Sequence, residues 1–447
     1  MHLKGKKDGM VIKENGLRFA KLIHVSVDNG STAQSNKVYI MEEQNDGRIK
    51  CEYGRVGKDL VTVYKQSCEW GKVYGDKISS RKGYTDVTDM VTETILDDSK
   101  TTNTASTKAG TLKEIFCKKT KSLFDDLMAF ANKSIQKNYK VTQESVTEAQ
   151  VDAAQEVINE AVKTLKKGNA VKAVNDLLMK LYTIIPRNMN DVRDYIVKSM
   201  DSTSDLDIAK NLLSSEQDTL DTMSGQVQLL KQQKEANAKA DEDTTDGVVS
   251  ADLTILDQMG LTAEEETDKE AIALVTKLMG PNANQIKKII KISNNKTKAG
   301  FDTNLNKVTN KKRRLYWHGS RNENWFNIIQ TGLMIRPSGA IHTGSMFSDG
   351  IYFADRAQKS IGYSSLRGSY WTRGGDNKGF IALFDVHVGN QKNIYKHDSS
   401  CYNITYDGLQ KEHFDSVYAH GGADLRNNEF IVYDGAQCTI AYIVEIG

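Results

Sequence analysis

Residues 344–365 read GSMFSDGIYFADRAQKSIGYSS and residues 427–434 read NNEFIVYD. In the first, two glycines flank a turn, Tyr352 lies in a short strand, and a helix carrying Ser360 and Tyr363 follows. Two aromatic rings so spaced can line opposite sides of a flat heterocycle, while a hydroxyl and backbone amides fix its polar edge. In the second, apolar residues alternate behind an acidic side chain, Glu429, at the start of a strand. A carboxylate so placed can hydrogen-bond a sugar hydroxyl and stabilise positive charge as a glycosidic bond breaks. Only one carboxylate accompanies the cluster, which argues against a two-carboxylate hydrolase.

Upstream, LYWHGSR at 315–321 begins as an apolar strand and breaks at Gly319, leaving His318 and Ser320 beside backbone that a ligand can approach. Taken singly, each segment has an ordinary reading: a surface histidine, a core tyrosine, a solvated carboxylate. Further strands are predicted at 313–317, 350–354, 380–388, 429–434 and 438–445, separated by Gly-, Asn- and Ser-rich turns. They make the last two hundred residues an antiparallel sheet domain with short helices attached, preceded by two helices around 251–280.

Before that domain the periodicity changes. Leu112, Ile115, Phe116, Leu123, Leu127, Met128 and Phe130 recur at helical spacing, and helices follow at 146–167, 170–185 and 205–230, with Pro186 stopping the third. These predict an all-α bundle over 111–235. Nearer the amino terminus, NKVYIMEE and IKCEYGRVG alternate on either side of the turn NDG, and LVTVYKQS adds a strand, predicting a small antiparallel sheet over 36–66 with a packing helix at 67–80. Trp70–Gly71 falls in that helix and is read as packing. The Thr-, Ser- and Asn-rich stretch around 96–110 and the polar stretch 236–250 read as linkers.

At 447 residues the chain is too long for one core. Its 39% hydrophobic and 26% charged residues describe globular material. No apolar run approaches a membrane span, and the amino terminus lacks a secretory pattern. Five scattered cysteines, Cys51, Cys68, Cys117, Cys401 and Cys438, have no CxxC pair and fit neither a disulfide framework nor a zinc site, so no metal is expected. The formal charge of +2 hides opposed fields: −10 over 241–270 and +9 over 285–315. Both runs are read as solvated helix or loop surface, with domain docking or nucleic-acid contact as the alternatives. Residues 1–90 are mildly basic at +4.

WHGS, GIYFAD and NEFIVYD together, in this order, resemble the catalytic domain of the poly(ADP-ribose) polymerase family, the diphtheria-toxin-like ADP-ribosyltransferases. The resemblance implies that His318, Tyr352 and Glu429 form the catalytic triad around NAD, a consumed substrate. By the same matching, Gly319 would pair with the nicotinamide amide, Ser360 would bond it, Tyr363 would be the second stacking ring, and Ser320 would add a ribose contact. Lys359 matches a basic position near Glu429 that favours chain elongation. Where the short DNA-dependent members carry arginine after the leucine of the stretch matching Gly332–Met334, this chain has Met334, and Arg336 two residues on is the candidate for an adenosine or phosphate contact. The acceptor-side region between Val388 and Tyr418 is abbreviated relative to the family.

The resemblance continues upstream. NKVYIMEE through EYGRVG resembles a WGR domain, the family's DNA-sensing module, with Tyr53 in place of the tryptophan, followed by Gly54 and Arg55. LLMKLYTIIPRNM and DLDIAKNLL resemble the helical regulatory domain. The implied architecture is multidomain α+β: a WGR-like DNA-binding sheet at 1–95, a linker at 96–110, the helical regulator at 111–235, a linker at 236–250, and the transferase at 251–447. The implied function is DNA-break-stimulated, autoinhibited transfer of ADP-ribose to protein acceptors, the chain itself included, with chain elongation. The alternatives are a mono-transferase, whether DNA-dependent or DNA-independent, and a DNA-end-binding scaffold with weak activity. Tyr53 and Arg55 are the expected DNA contacts, and a monomer without DNA is expected. The location would be the nucleus in a eukaryote, and otherwise the cytoplasm or nucleoid.

Overall fold

The structure is a computed structural model that describes residues 11–13, 15–27, 34–56, 58–88, 120–141, 143–168, 171–242, 256, 259–335 and 346–447. The chain divides into two compact units, one of residues 1–108 and 134–227, the other of 109–133 and 228–447. The architecture is mixed α+β, with distinct sheets and helical segments.

The first unit opens with strands β1 (Val11–Ile12), β2 (Arg18–Val27), β3 (Gln34–Glu43), β4 (Arg48–Arg55) and β5 (Val61–Gln66), paired antiparallel in chain order. Helix α1 (Trp70–Ile78) follows, and β6 (Thr85–Asp86) adds to β2. The expected NDG turn joins β3 to β4, and Gly47 takes the positive φ of 77° that the hairpin needs. Trp70 and Val73 of α1 close one face over Ala20, Leu22, Tyr39, Met41, Ile49 and Cys51. Ile23, Val38, Val56 and Val87 form a second cluster on the other face. Sequence periodicity did not predict β2. Both of its faces are covered, so its buried residues come in adjacent pairs, Phe19–Ala20 and Leu22–Ile23, and the two-residue alternation is lost.

Four helices come next: α2 (Lys121–Asn138), α3 (Glu148–Lys166), α4 (Val171–Ile184) and α5 (Thr203–Glu242). In α3 the predicted stripe Val151, Ala154, Val157, Ile158, Ala161, Val162 and Leu165 is buried. The helix starts at a capping box in which Thr147 and Gln150 satisfy each other's backbone N–H groups. α4 ends two residues before Pro186, and Arg187 beyond it makes a buried ion pair of 3.1 Å with Glu216. α5 runs to Glu242, so the first part of the expected 236–250 linker is helical. Its KEANAKADE composition lacks an apolar stripe but consists mostly of strong helix formers. The expected linker at 96–110 and the first helical residues, 111–119 with Cys117, lie outside the described residues.

The second unit contains two sheets. Its elements are β7 (Leu261–Glu265), α6 (Lys269–Met279), β8 (Ile286–Asn294), α7 (Asn295–Lys307), β9 (Arg313–Gly319), α8 (Trp325–Thr331), β10 (Ile351–Phe353), α9 (Ala357–Ile361), β11 (Gly379–His387), β12 (Gln391–Ile394), α10 (Tyr406–Lys411), β13 (Ser416–Ala419), β14 (Glu429–Val432) and β15 (Cys438–Ile446). The five-stranded sheet has the order β7-β8-β15-β11-β9 and the four-stranded sheet β10-β14-β13-β12, where only β12 and β13 run parallel. The five strands expected after residue 313 are all present.

Two expectations are corrected. Of the two helices expected around 251–280, α6 is one, and Leu256 is helical while residues 251–255 and 257–258 lie outside the described ones. Residues 261–265 are strand, because Leu261 and Ala263 alternate inward while Thr262, Glu264 and Glu265 face solvent. The basic run at 285–315 is not merely solvated surface: β8 lies inside the sheet, its isoleucines buried at 289, 290 and 292 and its lysines at 287, 288 and 291 less so. Between the sheets a cluster including Trp325, Phe353, Phe380, Phe384 and Phe430 forms the main core, joined by Leu123, Phe124 and Leu127 of α2. Lys378 also pairs with Asp126 of α2 at 2.5 Å. No helix among the described residues is long and apolar enough to cross a membrane.

Candidate active site

β9 is an outer strand of the five-stranded sheet, and a two-way backbone bridge between Trp317 and Ala354, 2.8 and 2.9 Å, ties it to the end of β10. That bridge brings the LYWHGSR and GIYFAD segments together. His318 is half-buried with the edges of Trp325, Phe353 and Phe384 around its ring. Its Nδ1 lies 3.0 Å from the Tyr352 carbonyl, which can only accept. Nδ1 therefore carries the proton, and Nε2 is left to accept a hydrogen bond from a ligand. Burial lowers the His318 pKa, against the smaller raising effect of that carbonyl, so the ring is neutral at pH 7.

Tyr352 pairs in register with Ile431. Its hydroxyl accepts from the Phe347 N–H at 3.0 Å and donates to the Ser348 carbonyl at 2.8 Å. With its polar end satisfied inside the protein, the face of the ring is what it offers a ligand.

Gly319 closes β9 against α9, where a Cβ would stand 2.0 Å from the Ser360 carbonyl oxygen and under 3 Å from two further backbone atoms. Only glycine permits this approach. Ser360 is buried directly beneath it. Three residues on, Tyr363 is 36% exposed, and its phenol pKa is raised by burial and then by the negative charge of Glu429. The Glu429 charge thus bears on the phenol although the two residues are 66 positions apart in the chain. Ser320 is partly buried and its Oγ accepts from Asn324 Nδ2 at 3.1 Å.

Glu429 begins β14 and is only 8% exposed. One carboxylate oxygen, Oε1, is bound by the Lys359 ammonium, itself nearly buried. The other, Oε2, is buried and has no hydrogen-bond partner. An orphaned carboxylate oxygen is costly to hold, and a donor hydroxyl entering the site would satisfy it. Neither Asn428 nor Asp355 drew a role from the sequence. Asn428 Nδ2 donates to Asp355 Oδ2 at 2.8 Å, and its Oδ1 accepts from the Gly421 N–H at 3.0 Å, clamping the backbone immediately before Glu429. The adjacency of Asn428 to Glu429 was the one available signal.

His318, Gly319, Ser320, Tyr352, Lys359, Ser360, Tyr363 and Glu429 thus belong to one neighbourhood of the second unit. Arg336 lies outside the described residues. Tyr53 and Arg55 are in the first unit. Tyr53 is half-buried, its ring stacked on Tyr39 at 5.5 Å, and Arg55 is exposed and donates Nη2 to the Asn190 carbonyl at 2.9 Å. Among the described residues no cluster of three His, Cys, Asp or Glu side chains could hold a metal ion. The orphaned Oε2 can accept from the hydroxyl of a sugar, and Tyr352 and Tyr363 supply aromatic rings in the same neighbourhood. The orphaned Oε2 and the glycine-lined backbone both fit the nicotinamide riboside end of NAD.

Comparison with known proteins places the second unit's sequence in a family. The poly(ADP-ribose) polymerase catalytic domain matches residues 267–447. A putative poly [ADP-ribose] polymerase-like protein, 100L, of Invertebrate iridescent virus 6 is 33% identical over 187 residues, 41% of this chain and 96% of that protein. A poly [ADP-ribose] polymerase of Drosophila melanogaster is 25% identical over 328 residues, 66% of this chain but 30% of its own length. Poly [ADP-ribose] polymerase 2 of Homo sapiens is 32% identical over 162 residues, 30% of this chain and 26% of that protein.

Proposed function

Because the chain belongs to the poly(ADP-ribose) polymerase family and carries its NAD-dependent ADP-ribosyltransferase domain, we propose that Glu429, His318 and Tyr352 perform the transfer and that broken DNA stimulates it. The observation that carries the assignment is the buried Glu429 carboxylate, held at Oε1 by Lys359 and free at Oε2.

In this reading Tyr352 and Tyr363 hold the nicotinamide ring between them, and the Gly319 backbone with the Ser360 hydroxyl fixes its amide. His318 Nε2 accepts from a hydroxyl of the adenosine-side ribose, with Ser320 as a further ribose contact. Glu429 Oε2 accepts a hydrogen bond from a hydroxyl of the nicotinamide-side ribose. The bond between C1′ and the nicotinamide nitrogen breaks with its electron pair leaving on nitrogen, and the fixed carboxylate stabilises the positive charge that develops on the sugar. An acceptor nucleophile then bonds to C1′ and loses its proton. For chain growth the acceptor is a ribose hydroxyl, oriented by Glu429 and Lys359. The Lys359–Glu429 pair is what favours elongation over single transfer.

DNA dependence rests on the basic 1–95 segment with Arg55 exposed on it, and on the match to the Drosophila polymerase, which is much longer than the transferase domain alone. Contact with backbone phosphate would sense a broken end without reading bases. The segment at 111–235 is the restraint that DNA relieves, and the protein itself is among the acceptors. It acts as a monomer before DNA binds, in the nucleus of a eukaryotic host or the cytoplasm or nucleoid otherwise.

The test measures NAD consumption and product size with no DNA and with nicked, blunt and 5′-phosphorylated duplexes. Several-fold stimulation and long products are expected, with stimulation reduced in Arg55→Ala. Equal activity under all DNA conditions would reject DNA dependence, and products of one ADP-ribose per acceptor would reject elongation.

A further inference from the structure

Tyr363 has a neighbour that the proposed reaction does not use. Trp371 stacks on it with ring centroids 5.9 Å apart and planes 18° from parallel, and Tyr370 packs edge-on against Trp371 at 4.7 Å. Trp371 is 61% exposed, whereas Trp70, Trp317 and Trp325 are fully buried. A large exposed indole off the core needs a reason, and the surrounding loop is built to hold it.

Several features fix Trp371 in place. Its backbone N–H donates to the Gly362 carbonyl at 3.0 Å, and a Cβ at residue 362 would come within 3.2 Å of the indole Cδ1, so glycine leaves the indole its seat. The chain around it is knitted from beneath by buried hydroxyls. Ser364 donates to the Ile361 carbonyl at 2.8 Å, and Ser369 donates its one proton to the Leu366 carbonyl at 2.6 Å. Asn322 anchors both ends of the loop, its N–H to Ser365 Oγ at 2.9 Å and its Nδ2 to the Lys378 carbonyl at 2.9 Å. Buried hydrogen bonds of this kind hold the loop in one conformation.

We propose that Trp371 is a positioning residue for the nicotinamide ring: stacked on the outer face of Tyr363, it holds that ring at the angle and depth at which its inner face meets the substrate. The inference rests on the assignment of Tyr363 as a stacking ring of the NAD site. An exposed tyrosine on a short helix end has free χ torsions, and each alternative rotamer reduces the population able to bind. The wall behind Tyr363 removes those alternatives before substrate arrives, so its contribution falls on binding and not on bond cleavage.

The experiment uses the full chain and nicotinamide as probe, measuring its Kd by tryptophan fluorescence and calorimetry, alongside steady-state NAD kinetics. Trp371→Ala is expected to raise the nicotinamide Kd and the KM for NAD about 3- to 10-fold, the scale of one aromatic pair, with kcat within about twofold. Trp371→Phe should restore most of the loss, whereas Trp371→Leu, which fills space without a flat ring, should not. The calorimetric Kd is what compares the variants, because Trp325 against His318 also reports on the site by fluorescence. If the calorimetric Kd of the Ala and Leu variants equals that of the wild type while Tyr363→Ala binds weakly, the role of Trp371 is refuted and the site assignment stands. If Tyr363→Ala itself binds like wild type, the site assignment has failed. Thermal unfolding of each variant separates local from global loss, and the Phe-versus-Leu comparison decides the matter if Ala lowers the midpoint.

Discussion

Replacing Gly319 by alanine puts one methyl group into the tightest backbone approach of the site. The added Cβ would stand 2.0 Å from the Ser360 carbonyl oxygen, with the Ser360 carbonyl carbon at 2.7 Å and Cα at 2.9 Å. All three are backbone atoms, so no side chain can swing aside. Restoring an ordinary contact near 3.4 Å requires β9 and α9 to part by about 1.4 Å. That displacement moves His318 on one side, and Ser360 and Tyr363 on the other, out of mutual register. A misplacement of about 1 Å can cost on the order of 10²-fold in rate, and kcat/KM for NAD should fall at least that far. Overpacking costs about 1–3 kcal/mol in stability, equivalent to a thermal midpoint lower by about 2–10 °C for a domain of this size. Initial-rate NAD consumption, nicotinamide calorimetry and thermal unfolding on the same preparation read all three effects. A Gly319→Ala protein that binds nicotinamide within twofold of wild type would refute the backbone-contact reasoning.

Asn428→Ala releases the clamp between Asp355 and Gly421. It should lower kcat about tenfold with KM changed less than threefold, and Asn428→Asp should be worse still because it sets a carboxylate against Asp355; equal kinetics for both variants would contradict this. His318 has its pKa lowered by burial, so between that value and its ordinary 6.5 the unfolded chain binds more protons than the folded one. Its neutral form therefore stabilises the fold above pH 6.5, and that contribution is lost as pH falls through the window below. Urea unfolding at pH 7.5 and 5.5 should show a smaller pH-dependent loss in His318→Gln than in wild type, and identical losses would contradict the assignment.

Periodic elements were legible because one partner dominates each of their faces. The stripe of α3 and five of the strands after residue 313 read directly from spacing, whereas the short β12 and β13 did not. β2 did not, since it is packed on both faces, and β7 and β8 did not, since their acidic and basic residues sit on the more exposed side of a sheet and resemble a solvated helix when read alone. Within the site, His318, Tyr352 and Glu429 were singled out because WHGS, GIYFAD and NEFIVYD together, in this order, resemble the family's catalytic domain, each segment alone having an ordinary reading. Asn428 and Asp355 are 73 positions apart, and Trp371 acquires meaning only by folding back on Tyr363. Such relations are created by loop closure, and no local pattern encodes them. The ion pair of Lys359 with Glu429 likewise depends on α9 reaching β14 across 70 positions.

The most direct test of the account compares Glu429→Gln with wild type for nicotinamide affinity and for ADP-ribose transfer. Glutamine keeps the size of the side chain and removes the charge facing the breaking bond. Nicotinamide affinity should remain within a few-fold, while transfer falls by about 10²–10³-fold, the scale expected for one preorganised electrostatic contact. Transfer at the wild-type rate would contradict Glu429 as the carboxylate that stabilises the transition state.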